Sequence, residues 1–202
     1  MTLLPTLSDL ATKCGTDKGP AFHNYTQFYH DLFSPLRHLP ITLLEVGVLG
    51  GESIRMWSEF FDHPDTRIHG VDIHDRELTG FDPRVQIHIG DGSNPNFIYD
   101  LTKITGSLDV FLDDGSHYSQ HQKDSLRLFW PHIKTRGLAV IEDCHTSYSY
   151  PWTKPDEVSF THSLLDWIDG VMENGAGHCG VPTETDIEEL VIRKSVVVIK
   201  KR

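Results

Sequence analysis

The alternation of short apolar runs with amphipathic segments, which begins at Thr42, is the feature that most constrains this fold. Apolar residues cluster in strand-like runs and recur at helical spacing between them. We expect strands at 42–48, 67–72, 85–89, 108–113 and 138–142, and helices at about 52–61, 94–103, 118–130 and 159–172. Such alternation predicts a parallel sheet with helices on both faces, joined by right-handed crossovers.

The end of the chain breaks this pattern. Two β-rich runs, 187–192 and 195–199, are joined by only Arg193 and Lys194. So short a link allows antiparallel pairing only, because a parallel return needs about a dozen residues. The sequence therefore predicts an α/β, Rossmann-like, seven-stranded, mostly parallel sheet with helices on both faces and a C-terminal antiparallel hairpin.

Residues 1–40 precede this alternation. Apolar residues at helical spacing predict a short helix that begins near Thr6 or Ser8, and a second helix from about Tyr25 that ends before Pro40. The sequence shows neither an internal repeat nor an interdomain linker. We therefore expect one globular domain overall, in which 1–40 form a helical N-terminal part and 41–202 the α/β part.

Net charge and composition limit the classes of partner that the chain can bind. The net charge of −11 argues against a nucleic-acid backbone as the main partner, because phosphate binding needs a surplus of Lys and Arg. No apolar run approaches the ~18–20 residues of a membrane helix, and the N-terminus lacks the basic and apolar regions of a signal peptide. Cys14, Cys144 and Cys179 lie too far apart for a C-x-x-C zinc site. We expect a cytoplasmic protein with neither a nucleic-acid nor a membrane partner.

A glycine turn follows the first predicted strand. Leu49-Gly50-Gly51 is succeeded by Glu52-Ser53, which opens a helix. Glycine lets a backbone approach a ligand closely, and the N–H groups at a helix start point towards it. This order is typical of nucleotide-binding α/β units, but it matches neither G-x-G-x-x-G nor a P-loop. Taken alone, the turn does not identify the ligand.

Acidic residues follow the second and third strands. Asp72 lies 21 residues after Gly51 (72 − 51), close to the spacing of an acid that accepts the ribose hydroxyls of a nucleoside. A helix cap or surface acid is the alternative. Asp91 either accepts from the exocyclic amine of a purine or belongs to a capping segment in which Ser93 or Asn94 caps the next helix.

Pairs of acids follow the fourth and fifth strands, Asp113-Asp114 and Glu142-Asp143. If these strands are neighbours, ~4.8 Å apart, four carboxylates converge, and they repel one another unless protons or a cation compensate. Oxygen ligands suit Mg²⁺, so a metal site is favoured over solvated acids. His117 is expected at a helix start, where the neutral imidazole needed by a general base is favoured; His121 is a weaker candidate.

Several motifs together carry a family resemblance: TLLEVGVLGGES, VDIH, GDGSNP, FLDDGSH and VIEDCHTSY, with KCGTDKG and HNYTQFYHDLF before them. From about Ala11 to Lys200 the chain resembles class I S-adenosylmethionine-dependent methyltransferases. It is most similar to the Mg²⁺-dependent O-methyltransferases that modify sugars of macrolides and related natural products, and the cephalosporin-tailoring enzymes are similar too. The DDGSH and IED motifs carry most of this specificity.

The resemblance implies a role for each matching residue. The metal ligands would be Asp114, Glu142 and Asp143, and the base would be His117. Contacts to S-adenosylmethionine would come from Glu45, Gly47, Gly51, Asp72, Asp91, Asp113, Thr16, Lys18 and Tyr25. Within that set, the glycine turn would hold the methionine part, Asp72 the ribose and Asp91 the adenine. Residues 1–40 would form a helical cap over the cofactor pocket.

The implied function is methyl transfer from S-adenosylmethionine, with Mg²⁺, to a hydroxyl of a small sugar or polyketide-type molecule in antibiotic biosynthesis. A homo-oligomer is one expected assembly. Two alternatives stay open: a nicotinamide-dependent oxidoreductase, disfavoured by the absent G-x-G-x-x-G, and a non-catalytic cofactor-binding protein, disfavoured by the two acid pairs. Aromatic residues after the fifth strand either form an acceptor wall or pack the loop: Tyr148, Tyr150, Trp152 and Phe160. A glycine-rich loop is expected at 175–180.

Overall fold

The computed structural model describes residues 4–172 and 186–202. The expected loop at 175–180, with Cys179, lies outside them. The helices are α1 (Leu7–Cys14), α2 (Thr26–Phe33), α3 (Glu52–Phe60), α4 (Pro95–Thr105), α5 (Ser119–Phe129) and α6 (Phe160–Met172). The strands are β1 (Thr42–Val46), β2 (Arg67–Asp72), β3 (Val85–Ile89), β4 (Leu108–Asp113), β5 (Ile133–Ile141), β6 (Ile187–Arg193) and β7 (Val196–Lys201).

The strands form one seven-stranded sheet in the order β3-β2-β1-β4-β5-β7-β6. β1 to β5 pair in parallel, and β7 runs antiparallel to both β5 and β6. The predicted fold class, including the closing antiparallel hairpin, is confirmed. Because the chain leaves β1 towards β2 and later returns to β4 on its other side, β1 and β4 flank the topological switch point where such sheets bind ligands.

Helices cover both faces of the sheet. Successive strand residues point to opposite faces, and Leu43 and Leu44 accordingly enter different hydrophobic clusters. Leu43 packs with residues of α1, α2 and α3, among them Trp57. Leu44 packs with residues of α4, α5 and α6, among them Trp167. The sheet is therefore buried between two helical layers.

The helical N-terminal part packs into this core. Thr6 caps α1 by accepting from the Asp9 N–H at 3.2 Å, while the Asp9 carboxylate accepts from the Thr6 N–H at 2.9 Å. α2 ends at Phe33, before the predicted end, because a short 3-10 turn with Pro35 follows. Tyr29 and Phe33 of α2 belong to the cluster that contains Leu43. A separate domain limit at residue 40 thus stays a prediction.

Several strand limits differ from the expected ones, most of all at the start of β5. β5 begins at Ile133 rather than 138, and β1 ends at Val46 rather than 48. Residues 134–136 are exposed, so the apolar pattern that predicts a strand is missing there. The pairing of β4 with β5 also shifts register between Leu108 and Val110, which accommodates this irregular start.

Candidate active site

A cavity of about 610 Å³ lies at the carboxyl ends of β1 to β4, at the switch point of the sheet. Its volume falls in the ordinary range for small-molecule sites. The predicted site residues on its wall are Thr16, Gly47, Asp72, Asp91, Asp113, Asp114 and His117. Outside the wall lie Lys18, Tyr25, Glu45, Gly51, Glu142 and Asp143. The structure therefore divides the predicted set between a cavity and the region behind it.

Gly47 brings the ends of β1 and β4 together. Its φ is +94°, and a Cβ at this position would lie 1.9 Å from the Asp114 carbonyl oxygen. Beside it, the Asp114 N–H donates to the Val46 carbonyl at 2.8 Å. Only glycine allows this approach. Gly51, with φ +85°, instead begins α3 in the left-handed conformation.

Asp72 links the glycine turn to the end of β2. Its Oδ2 accepts from the N–H groups of Val48 at 3.1 Å and Leu49 at 2.9 Å, and its Oδ1 accepts from the His74 N–H at 2.9 Å. Burial raises the pKa of this carboxyl, but the three N–H donors outweigh burial and hold the pKa below its usual value. Asp72 is thus a charged acceptor on the cavity wall, with lone pairs left for a ligand.

Asp91 is not the cap of α4. Asn94 caps that helix, accepting from the N–H groups of Asn96 at 2.9 Å and Phe97 at 3.2 Å. Asp91 accepts from the N–H of Ser93 at 2.8 Å and from its hydroxyl at 2.7 Å. Burial raises the Asp91 pKa, yet the bonds from Ser93 outweigh it and lower the pKa overall. Asp91 therefore also presents a carboxylate to the cavity.

Asp113 is anchored to α5. Its Oδ2 accepts from the Ser125 hydroxyl, and its Oδ1 accepts from the Gly115 N–H at 3.1 Å. Burial raises the pKa of this carboxyl, while the Ser125 hydrogen bond acts in the opposite direction. The sequence pattern did not single out Ser125. It lies three residues after Gln122 on the buried face of α5.

Behind the cavity, the fully buried ammonium of Lys18 meets three carboxylates. Its Nζ lies 2.9 Å from Glu142 Oε2 and 3.3 Å from Glu45 Oε1, and it also bonds to Asp114 Oδ2. Burial disfavours the ammonium, but the carboxylates outweigh burial and hold the Lys18 pKa well above its usual value. Burial likewise raises the pKa of Glu45 to about 7. The Glu45 carboxylate accepts from the Ser53 hydroxyl and the Trp57 indole.

Asp143 and His117 face each other at the edge of this acid cluster. His117 Nε2 lies 3.7 Å from Asp143 Oδ2. Both residues have left-handed backbones, with φ +61° and +53°, a conformation that is uncommon outside glycine and often found at functional sites. His117 Nδ1 is buried and has no hydrogen-bond partner among the described residues. Nε2 is therefore the ring nitrogen that can meet a substrate.

The acids fit a divalent cation. In the described part of the chain, Asp114, His117 and Asp143 each offer a ligand atom within 4.8 Å of the others. Glu142 and Asp114 both form an ion pair with the Lys18 ammonium. Three carboxylates thus share one ammonium, with Asp143 nearby, an excess of negative charge which a cation would balance. Carboxylate oxygens are also the ligands that Mg²⁺ prefers.

Two other histidines near the acids, His121 and His145, are hydrogen-bonded to serine side chains. His121 is on the cavity wall, and its Nδ1 is 2.7 Å from the Ser116 hydroxyl. His145 is exposed, and its Nδ1 is 2.5 Å from the Ser195 hydroxyl. His145 Nδ1 lies 3.9 Å from Asp143 Oδ1, nearly as close as His117, but His145 is not on the cavity wall.

The aromatic residues after β5 divide into two groups. Phe160 is buried in the core, so it packs the fold. Tyr148 and Tyr150 are 74% and 78% exposed. Their loop is attached beside His117, because the Thr146 hydroxyl donates to the His117 carbonyl at 2.9 Å. These two tyrosines therefore belong to a loop that is attached beside His117, but neither of them lines the cavity.

A Rossmann-like sheet with a cavity at its switch point is a ligand-binding α/β domain. The comparison with known families gives its class: the chain belongs to the family described as a methyltransferase domain, whose model matches residues 44–144. Within residues 4–172 and 186–202, no helix has the length and apolar character required to cross a membrane.

Individual relatives agree with this assignment. The 8-demethyl-8-alpha-L-rhamnosyl tetracenomycin-C 2'-O-methyltransferase of Streptomyces olivaceus is 32% identical over 98% of this chain and 55% of its own length. The mycinamicin VI 2''-O-methyltransferase of Micromonospora griseorubida is 34% identical over 71% of this chain and 37% of its own. This chain thus spans about half, or less, of the length of such relatives.

A solved structure shows the same arrangement of the backbone. The MycE methyltransferase from the mycinamycin biosynthetic pathway, in complex with Mg, SAH and mycinamycin VI, matches with a TM-score of 0.88 and 29% identity. The match covers 98% of this chain and 53% of that chain. The family resemblance drawn from the sequence motifs is confirmed.

Proposed function

We propose that this chain is an S-adenosylmethionine-dependent, Mg²⁺-dependent O-methyltransferase that acts on a sugar hydroxyl of a polyketide-type natural product. One observation carries the proposal. A single cavity has the nucleoside-type acceptors Asp72 and Asp91 on its wall together with His117 and Asp114. A donor cofactor and a deprotonating group can therefore meet in one place.

The cavity wall supports the cofactor assignment. Asp72 accepts from the glycine turn and would also accept from ribose hydroxyls, whereas Asp91 would accept from the adenine amine. Gly47 and Thr16 would border the methionine part. Both acids have pKa values below the usual range, so they are charged acceptors at neutral pH.

Asp114, Glu142 and Asp143 would hold Mg²⁺. When bound, S-adenosylmethionine supplies an electrophilic methyl group on sulfur, and Mg²⁺ makes a nearby hydroxyl more acidic. His117 takes the hydroxyl proton at Nε2, and the Asp143 carboxylate, 3.7 Å away, stabilises the resulting imidazolium. The substrate oxygen then forms the new bond to the methyl carbon while the carbon–sulfur bond breaks. The protein contributes mainly by holding these groups in line.

The class of acceptor is inferred from two sources. The named relatives are a 2'-O-methyltransferase of a rhamnosyl tetracenomycin and a 2''-O-methyltransferase of mycinamicin VI. Here Tyr148 and Tyr150 are exposed in a loop attached beside His117, and aromatic faces suit the apolar face of a sugar or a planar polyketide. We infer a small hydroxylated acceptor in antibiotic biosynthesis and a cytoplasmic location, with neither nucleic acid nor membrane as partner. A homo-oligomer is one expected assembly.

Methyl transfer tests the proposal directly. The protein is incubated with labelled S-adenosylmethionine, Mg²⁺ and a panel of rhamnosides, macrolide glycosides and catechols, with and without EDTA. We expect label in a glycoside and its loss with EDTA. If no acceptor is labelled although S-adenosylhomocysteine binds, the chain would act only as a cofactor-binding protein.

A thermal-shift comparison separates the oxidoreductase alternative. S-adenosylhomocysteine should raise the melting temperature, because a ligand that binds only the folded state stabilises it. NAD should not raise it. Stabilisation by NAD alone would contradict the proposed function and favour a nicotinamide-dependent enzyme.

A further inference from the structure

We propose that Lys18, Tyr25 and Tyr29 are positioning residues that hold the acids of the cation site from behind. The segment before β1 would thus build the inner side of that site instead of only covering a cofactor. This inference rests on the proposed function, since it concerns the same Asp114, Glu142 and Asp143.

Glu142 is held at both carboxylate oxygens. The Tyr29 hydroxyl donates to Oε1 at 2.8 Å, and the Lys18 ammonium donates to Oε2 at 2.9 Å. The Glu142 backbone carbonyl accepts from the Gln122 side-chain amide at 2.9 Å. All four residues are buried, so the carboxylate has neither room nor a solvent partner for another orientation.

The other two acids have partners from the same segment. The Tyr25 hydroxyl donates to Asp143 Oδ1 at 2.7 Å. Lys18 donates to Asp114 Oδ2. Every predicted cation ligand therefore receives a hydrogen bond from a residue between 18 and 29. A carboxylate oxygen has two lone pairs, so each bonded oxygen can still take a cation.

The local backbone makes these three donors one unit. The Lys18 carbonyl accepts from the N–H groups of Tyr25 at 3.0 Å and Thr26 at 3.3 Å, which closes the turn before α2. Tyr25 and Tyr29 are four residues apart and lie on the same helical face, with ring centroids 6.0 Å apart. Because donors behind metal ligands fix ligand orientation, their loss typically weakens metal binding by about 10–100-fold.

Removing one hydroxyl at a time tests the inference. Tyr29→Phe and Tyr25→Phe keep the rings and remove only the donors to Glu142 and Asp143. Tyr99→Phe, at an exposed tyrosine of α4, is the matched control. Mn²⁺ binding to the metal-free protein is measured by electron paramagnetic resonance, S-adenosylhomocysteine binding by calorimetry, and thermal stability separately.

We expect Tyr29→Phe and Tyr25→Phe each to weaken Mn²⁺ binding by about tenfold or more, with S-adenosylhomocysteine affinity unchanged and Tyr99→Phe like the wild type. High Mg²⁺ should restore turnover in both variants. If both variants bind Mn²⁺ as the wild type does, the tyrosines only satisfy buried groups and the inference is overturned. A wild-type protein that binds no Mn²⁺ would instead overturn the cation site itself.

Discussion

The Nζ atom of Lys18 lies 2.9 Å from Oε2 of Glu142, across 124 residues of sequence. Neither group has access to solvent. The ammonium also contacts Glu45 and Asp114, so one positive charge interacts with two buried carboxylates and one partly buried carboxylate. Such an arrangement is stable only as a whole, because removal of one partner leaves buried charge uncompensated.

Replacement of Lys18 should therefore be costly for folding. We expect Lys18→Met to lower the free energy of unfolding by about 3–5 kcal/mol, measured by urea denaturation of the metal-free protein. Lys13→Met is the control, since Lys13 forms an exposed pair with Glu59, and it should change stability little. Equal midpoints for Lys18→Met and the wild type would show that the buried charges are compensated in another way.

Loss of His117 should separate chemistry from cofactor binding. We expect His117→Ala to reduce kcat by about 10²–10⁴-fold, the usual contribution of a general base, while S-adenosylhomocysteine affinity stays near that of the wild type. His121→Ala should retain most activity, because His121 is bonded to Ser116 and not beside Asp143. Collapse of cofactor affinity with surviving turnover in His117→Ala would refute the base assignment.

A methyl group at Gly47 should separate the ends of β1 and β4. The substituted Cβ would meet the Asp114 carbonyl at 1.9 Å, and φ is +94°. We expect Gly47→Ala to cost about 2–5 kcal/mol from backbone strain and overpacking together. Gly80→Ala isolates the backbone term, because Gly80 has φ +72° and open space around it; it should cost about 1–2 kcal/mol. Similar losses in the two variants would exclude the steric contribution.

A histidine pair between β2 and β3 should make stability depend on pH. His69 Nδ1 lies 3.0 Å from His88 Nε2, and burial, with a smaller effect of His88, lowers the pKa of His69 to about 4. The unfolded chain therefore binds the proton first, so stability should fall as pH drops from about 6.5 to about 4, by at most about 3 kcal/mol from this residue.

His69→Gln provides the measurement. Urea denaturation at several pH values should give a shallower loss of stability for His69→Gln than for the wild type over this window. His74→Gln, at an exposed histidine, should keep the wild-type slope. If the His69→Gln slope equals that of the wild type, His69 does not stay neutral in the folded protein.

Most of the fold was predictable because its signals are local. Short apolar runs, such as the one that contains Leu43 and Leu44, predict the strands. The two-residue link, expected at Arg193 and Lys194 and found at Lys194 and Ser195, allows only an antiparallel end. The irregular start of β5 was not predictable, since residues 134–136 are exposed and carry no apolar pattern. Ile133 pairs with Leu108 of β4 ahead of a register shift, so tertiary pairing and not local sequence sets the start of this strand.

The candidate site was predictable in part for the same reason. Parallel strands place their carboxyl ends at one edge, so acids that follow strands must converge. Asp72, Asp91 and Asp114 accordingly reach one cavity wall. Tyr29 and Ser125, which hold Glu142 and Asp113, had no such signal. The sequence pattern around a tyrosine on an apolar helix face, or around a serine in a polar helix, is the same whether or not the side chain contacts an acid.

Sequence alone thus determined the sheet, its antiparallel end, and the convergence of acids with His117, because periodicity and strand direction depend on residues that are close together in the chain. Only the tertiary structure decided that Lys18 and Tyr25 lie behind the cavity against Glu142 and Asp143, and not on its wall. These contacts join residues more than a hundred positions apart. They depend on how α2 packs on the sheet, which no local pattern specifies.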